Sequence, residues 1–111
     1  YCRARETARL MDLGPVVPTR ALMNMRAANL VGGRSAVIER ARLEIGAYPE
    51  EGTNTVLVAH GNLMRAATGA YTVEGGAAVF SPKGDGAFAL VAQISPADWI
   101  RVAGDFEREA E

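Results

Sequence analysis

Five residues, Thr55-Val56-Leu57-Val58-Ala59, form an uncharged β-forming run that stops at the chain's only histidine, His60. A short aliphatic and β-branched run bounded by turn residues predicts a buried strand. Gly61 and Asn62 follow at once, and Leu63–Tyr71 then has apolar residues at helical spacing, with Met64, Ala67 and Tyr71 expected inward. A strand that runs directly into a helix aims its last residue at the free N–H groups of the helix start, a place suited to anions. His60 therefore stands where a phosphate would bind.

Composition narrows the remaining choices. With 111 residues, 49% of them hydrophobic, the chain is read as a single domain over 1–111 with one modest core. A net charge of −1 makes no case for nucleic acid, which needs a basic surface. No apolar stretch approaches the roughly 20 residues that span a bilayer, so no membrane insertion is expected. One cysteine and one histidine give no structural zinc site, and neither a metal nor a cofactor is expected. Cys2 is either an ordinary free thiol or a half-cystine whose partner lies outside these residues.

Along the chain, Arg5–Leu13 predicts a helix that stops before Gly14-Pro15. Residues 16–33 read mostly as loop. Ser35 is placed as the cap of a helix running to about Gly46, and Tyr48–Asn54 as a turn cluster leading into the Thr55–Ala59 strand. Ala77–Phe80 and Phe88–Ile94 read as strands joined by Pro82-Lys83-Gly84-Asp85-Gly86, whose Asp-Gly step favours a tight hairpin. Alternation places Phe88, Leu90, Ala92 and Ile94 on one face. Ser95-Pro96-Ala97-Asp98 reads as a helix start with Ser95 as cap and Asp98 at its third position, and Trp99, Ile100 and Val102 are expected to pack on the sheet. The order is helix, loop, helix, strand, helix, strand, strand, helix: an α/β layout with a mixed sheet.

Candidate chemistry centres on His60. The competing reading is a histidine that ends a strand and bonds a neighbouring carbonyl. Gly61 favours the site, because a residue without Cβ lets a ligand approach the backbone. Asn62 either caps the helix or contacts the ligand, and the cap is the simpler role. Arg3 and Arg5 flank the start of the first helix, where a guanidinium is unfavourable unless an anion joins it. Arg65 is expected to be exposed. Glu74, before Gly75-Gly76, is a candidate proton donor if it folds over the pocket, and otherwise an ordinary loop glutamate. There is no Walker loop, GxGxxG fingerprint or Ser/His/Asp set.

These residues resemble the histidine phosphatase superfamily, the phosphoglycerate-mutase-like proteins. YCRARETARL (1–10) is similar to the family's S-P-x-x-R-A/T-x-x-T-A segment, with Arg3 as the pocket arginine. TNTVLVAHGNLMRAATG (53–69) is similar to the block carrying the second pocket histidine, here His60, and 74–99 to the closing hairpin and last helix. The resemblance implies a three-layer sandwich, a mostly parallel sheet flanked by helices, here truncated at the N-terminus. It also implies phosphatase activity on phosphate monoesters through a phosphohistidine, with Arg3 and His60 holding the phosphoryl oxygens and Glu74 as acid.

The nucleophile of that mechanism lies in an Arg-His-Gly motif, which this sequence does not contain. The resemblance thus implies that 1–111 is the C-terminal part of a longer domain and inactive alone. A non-catalytic phosphate- or sugar-phosphate-binding pseudoenzyme and an inactive fragment are the alternatives. The P-x-C-R variant of the first block resembles exported members, which implies that Cys2 pairs with a cysteine outside these residues. The expected partner is a small phosphorylated substrate, and a sheet lacking its first strand is expected to dimerise through an exposed edge.

Overall fold

The computed structural model of the protein describes residues 2–30 and 32–110, with backbone alone for residue 2 and residues 106–110. Cys2 pairing therefore lies outside the described side chains. Among the described residues there are four α-helices, α1 (Cys2–Met11), α2 (Arg34–Gly46), α3 (Gly61–Thr68) and α4 (Pro96–Ala110). Two short 3-10 helices, Arg20–Leu22 and Met25–Leu30, lie between α1 and α2, so the segment read as loop is partly ordered by its own hydrogen bonds. Two strands, β1 (Ala77–Gly84) and β2 (Ala87–Ile94), form one antiparallel hairpin.

That hairpin is the whole sheet among the described residues, which overturns the expected three-layer sandwich with a mostly parallel sheet. The reason lies in pairing. Residues 53–60 have no regular secondary structure and join no sheet, and β1 and β2 pair with one another across their turn and lean on α2 instead. An extended segment without a neighbour is not a strand, however β-prone its residues. Val56 is accordingly 53% exposed rather than buried.

The hairpin itself follows from its turn. Asp85 and Gly86 both take positive φ, 53° and 79°, the requirement of a type I′ connection. Two irregularities bend it. Val79 opposes Ala92 while Phe80 opposes Leu90, leaving Val91 as an extra residue, and Lys83 is extra between Pro82 and Gly84. The bulge at Val91 breaks the expected alternation, and Leu90 and Val91 are both exposed. Phe80 and Phe88 meet edge to face with centroids 5.2 Å apart.

The core is small and centres on α2 and α3. Val37 and Leu63 are the large side chains fully buried, at 1% and 2% exposure, with Ala28, Ala41 and Ala67 around them. Leu22, Met25, Ile38, Ile45 and Ala59 cover this cluster. Small residues on both helices let the backbones approach closely. Arg42 crosses the same interface, its Nε donating to the Ala67 carbonyl at 2.8 Å. Gly46 ends α2 against the hairpin turn so tightly that a Cβ there would lie 2.8 Å from the Ala87 carbonyl oxygen.

The remaining helices confirm some local signals and correct others. Gly33, not Ser35, precedes α2, and no side chain caps that helix. Ser95 and Asp98 form a reciprocal cap on α4: Asp98 N–H donates to Ser95 Oγ at 3.2 Å and Ser95 N–H to Asp98 Oδ2 at 2.9 Å. Those bonds from Ser95, with Arg101 beside them, hold the Asp98 carboxyl below its usual range. Yet α4 does not cover the sheet as expected, since Ile100 is 76% exposed and Trp99 and Val102 about half exposed. The molecule is elongated, 52 × 29 × 26 Å, and among the described residues none of α1 or α4 belongs to the core cluster.

Candidate functional site

The sequence places His60 at the junction between an extended segment and a helix, and the structure keeps that junction without the sheet. His60 is the N-cap of α3, with extended backbone (φ −126°, ψ 144°), and its carbonyl accepts the Met64 N–H at 3.0 Å. Its imidazole is half-buried. No side chain caps α3 and its first turn carries no acid, so the N–H groups at this end have neither a capping oxygen nor a neutralising charge.

Burial pushes the His60 pKa below its ordinary value, and the positive charge of Arg3 pushes in the same direction. Arg3 sits in the first turn of α1, more than fifty residues away in sequence, yet its charge is felt at the imidazole. The Arg3 side chain is exposed, while its backbone carbonyl accepts the Thr7 hydroxyl at 2.8 Å. An electropositive helix end and a partly buried imidazole thus lie together.

Asn62 is not the cap of α3, a position held by His60. Its Nδ2 donates to Asn24 Oδ1 at 2.7 Å, and its Oδ1 accepts the Met25 N–H at 3.3 Å. The side chain ties the first turn of α3 to the 3-10 segment. A Cβ at Gly61 would meet only the Tyr71 ring edge, at an ordinary 3.8 Å, so the openness there is bounded by an aromatic side chain.

Tyr71 is the residue that sequence patterning misplaced. Helical spacing put it inward, but α3 ends at Thr68 and Gly69 takes the left-handed conformation, φ 76°, its N–H bonding the Arg65 carbonyl at 2.9 Å. The chain then doubles back, leaving Tyr71 56% exposed beside Gly61, with the Arg65 guanidinium 4.8 Å from its ring centre. The Thr68-Gly69 step was the available signal for that reversal. Leu63 and Ala67, rather than Met64 and Tyr71, are the buried positions of α3.

Glu74 lies in the exposed turn at 74–75 and makes no hydrogen bond or ion pair among the described residues. Arg5 is exposed on α1. Two shallow depressions mark the surface elsewhere. One of about 400 Å³ lies between α2 and the hairpin turn, beside Glu39, Arg42 and Asp85; another of about 420 Å³ is lined by Arg20, Leu30, Gly32 and Arg40. Neither includes His60, Arg3 or Glu74. Among the described residues no group of acids, cysteines or histidines is arranged to hold a metal ion. No helix is long and apolar enough to cross a membrane.

Comparison of the chain with protein-family models, curated proteins and solved structures gives no match.

Proposed function

We propose that the junction of residues 60–62, with Arg3, binds the phosphoryl group of a phosphate monoester. The observation that carries this reading is the place of His60 at the start of α3, whose first turn holds no acid, with the positive charge of Arg3 a smaller influence on its imidazole. Three kinds of donor favour a dianion there: backbone N–H groups, an imidazole N–H and a guanidinium. The residue-level resemblance to histidine phosphatases supports the same ligand class, and the chemistry it suggests is hydrolysis through a phosphohistidine. Arg3 and His60 would then stabilise charge growing on the phosphoryl oxygens. Glu74 is the proposed acid on the resemblance alone.

Hydrolysis by that route needs a second histidine as nucleophile, and these 111 residues contain only His60. This favours a second reading for the chain by itself: binding of a phosphate or sugar phosphate without turnover. Calorimetry with inorganic phosphate, beside an assay with an aryl phosphate, separates the two. Binding without hydrolysis supports the second reading, and both activities support the first. His60→Ala and Arg3→Ala should each weaken phosphate at least tenfold, and unchanged affinity in both variants would remove the site. A homodimer is part of the proposal as well, formed through unpaired extended backbone, and sedimentation showing monomer at all concentrations would count against it.

A further inference from the structure

We infer that the depression lined by Arg20 and Arg40 is a second anion site, separate from His60, and that it takes a short organic dicarboxylate. Its walls are Arg20, Leu30, Gly32 and Arg40, around a space of about 420 Å³, and none of His60, Arg3 and Glu74 belongs to them. Arginine thus makes up half of the lining, and no acid is part of it.

The local sequence puts both arginines there. Val37 and Ala41 of α2 are buried in the core, which leaves Arg40 on the exposed side of the same helix. Long helical side chains lean toward the helix N-terminus, and Arg40 does so over Ala36 to reach Gly32. A Cβ on Gly32 would lie 3.0 Å from Arg40 Nη2 and 3.3 Å from the Ala36 Cβ. Gly32 is held at φ 106°, a conformation that favours glycine, so the backbone itself keeps the space beside the guanidinium open. Arg20 completes the lining from the 3-10 helix Arg20–Leu22. That helix is fixed at one end by Thr19, whose hydroxyl accepts the Ala21 N–H at 3.1 Å, and at the other by Leu22, which packs on the core cluster.

Charge points to the ligand. The Arg20 side chain makes no hydrogen bond or ion pair among the described residues. The acid next to Arg40 in sequence, Glu39, lines the other depression with Arg42 and Asp85, and the first turn of α2 holds no acid. A concave surface lined by one sign of charge concentrates the opposite ion. Each guanidinium offers a carboxylate two parallel N–H donors, so a pair of arginines suits a pair of carboxylates. Leu30, 86% exposed, gives an apolar wall for the short carbon chain that joins them.

The test compares succinate with butyrate, which share a carbon chain of the same length and differ in one carboxylate. Each is titrated at equal ionic strength into the isotope-labelled chain while NMR follows the Gly32 amide. Succinate is expected to move that signal with about tenfold higher affinity than butyrate. Arg20→Gln and Arg40→Gln should each bring the two affinities within about twofold of one another. Lys83→Gln, which removes an equal charge from an exposed position of β1, should leave the ratio standing, and so should His60→Gln. Arg20→Lys and Arg40→Lys keep the charge and lose the fork, so their ratios should fall in between; they carry the comparison if a Gln variant loses its cooperative melt. A Gly32 signal that neither acid moves, or equal affinities in the unsubstituted chain, overturns the site. So does a ratio that survives the arginine substitutions or falls equally in Lys83→Gln. A ratio lost in His60→Gln assigns the dicarboxylate to His60 and also overturns it. Phosphate binding at His60 stands or falls separately, since no residue of that site lines the depression.

Discussion

At the scale of single residues, His60 carries the account, and its acid–base behaviour exposes it to test. Its folded pKa lies below 6.5 chiefly through burial, with the positive charge of Arg3 a smaller cause. The folded state thus prefers neutral imidazole, and in the window just below 6.5 the unfolded chain binds more protons. This contribution to stability is full above pH 6.5 and is lost as pH falls toward the folded value. The melting temperature should drop between pH 7.5 and 5.5, and His60→Gln should flatten that drop; an equally steep profile in the variant would show that other groups control it. The sequence made His60 conspicuous because it is the only histidine, placed between an apolar run and Gly61. It gave no means of seeing that Asn62 is engaged by Asn24, since that contact joins residues 38 positions apart. Nor could it show that Tyr71 leaves the helix, which depends on Gly69 ending α3 first.

Among elements, the best-read features were those whose causes are local. The Asp-Gly turn, the Ser95–Asp98 cap and the extents of α2 and β2 depend on neighbouring residues, whereas β1 runs on to Gly84, past the expected end at Phe80. The parallel sheet failed because a strand is defined by what lies beside it, and residues 53–60 have no such neighbour among the described residues. The contact of α2 with the hairpin turn was equally invisible, and it yields a sharp prediction. Gly46→Ala forces a methyl group against the Ala87 backbone, where nothing flexible can yield. A loss of about 1–3 kcal/mol is expected in denaturant unfolding. A neutral effect would mean that the α2–hairpin contact is looser than described. In α4, Ser95→Ala removes one half of the reciprocal cap and should lower helical content, at a cost of about 1 kcal/mol to that helix. Because none of the described side chains of α4 belongs to the core cluster, circular dichroism should register this change more clearly than the global melt does.

For the whole molecule, shape and core size tell the same story. The radius of gyration is 14.8 Å, against about 13 Å for a compact chain of this length. Among the described residues only Val37 and Leu63 are large and fully buried, while Leu10, Leu13, Val17, Ile100 and others are more than half exposed. Such a core leaves little reserve. Leu63→Ala should cost about 2–5 kcal/mol, comparable with the stability of a marginal domain, and should abolish the cooperative melt. Composition had suggested a modest core but not how few side chains would fill it, because apolar content counts residues without saying which of them find one another.

The central claim is that Arg3 and His60 attend the same anion, and an NMR titration of the His60 imidazole tests it most directly. Being the only histidine, its ring signals need no assignment. The account predicts a midpoint below the ordinary histidine value, a rise on Arg3→Gln as a positive neighbour is removed, and a rise on adding phosphate to the unsubstituted chain. A midpoint indifferent to both the substitution and the phosphate would contradict it.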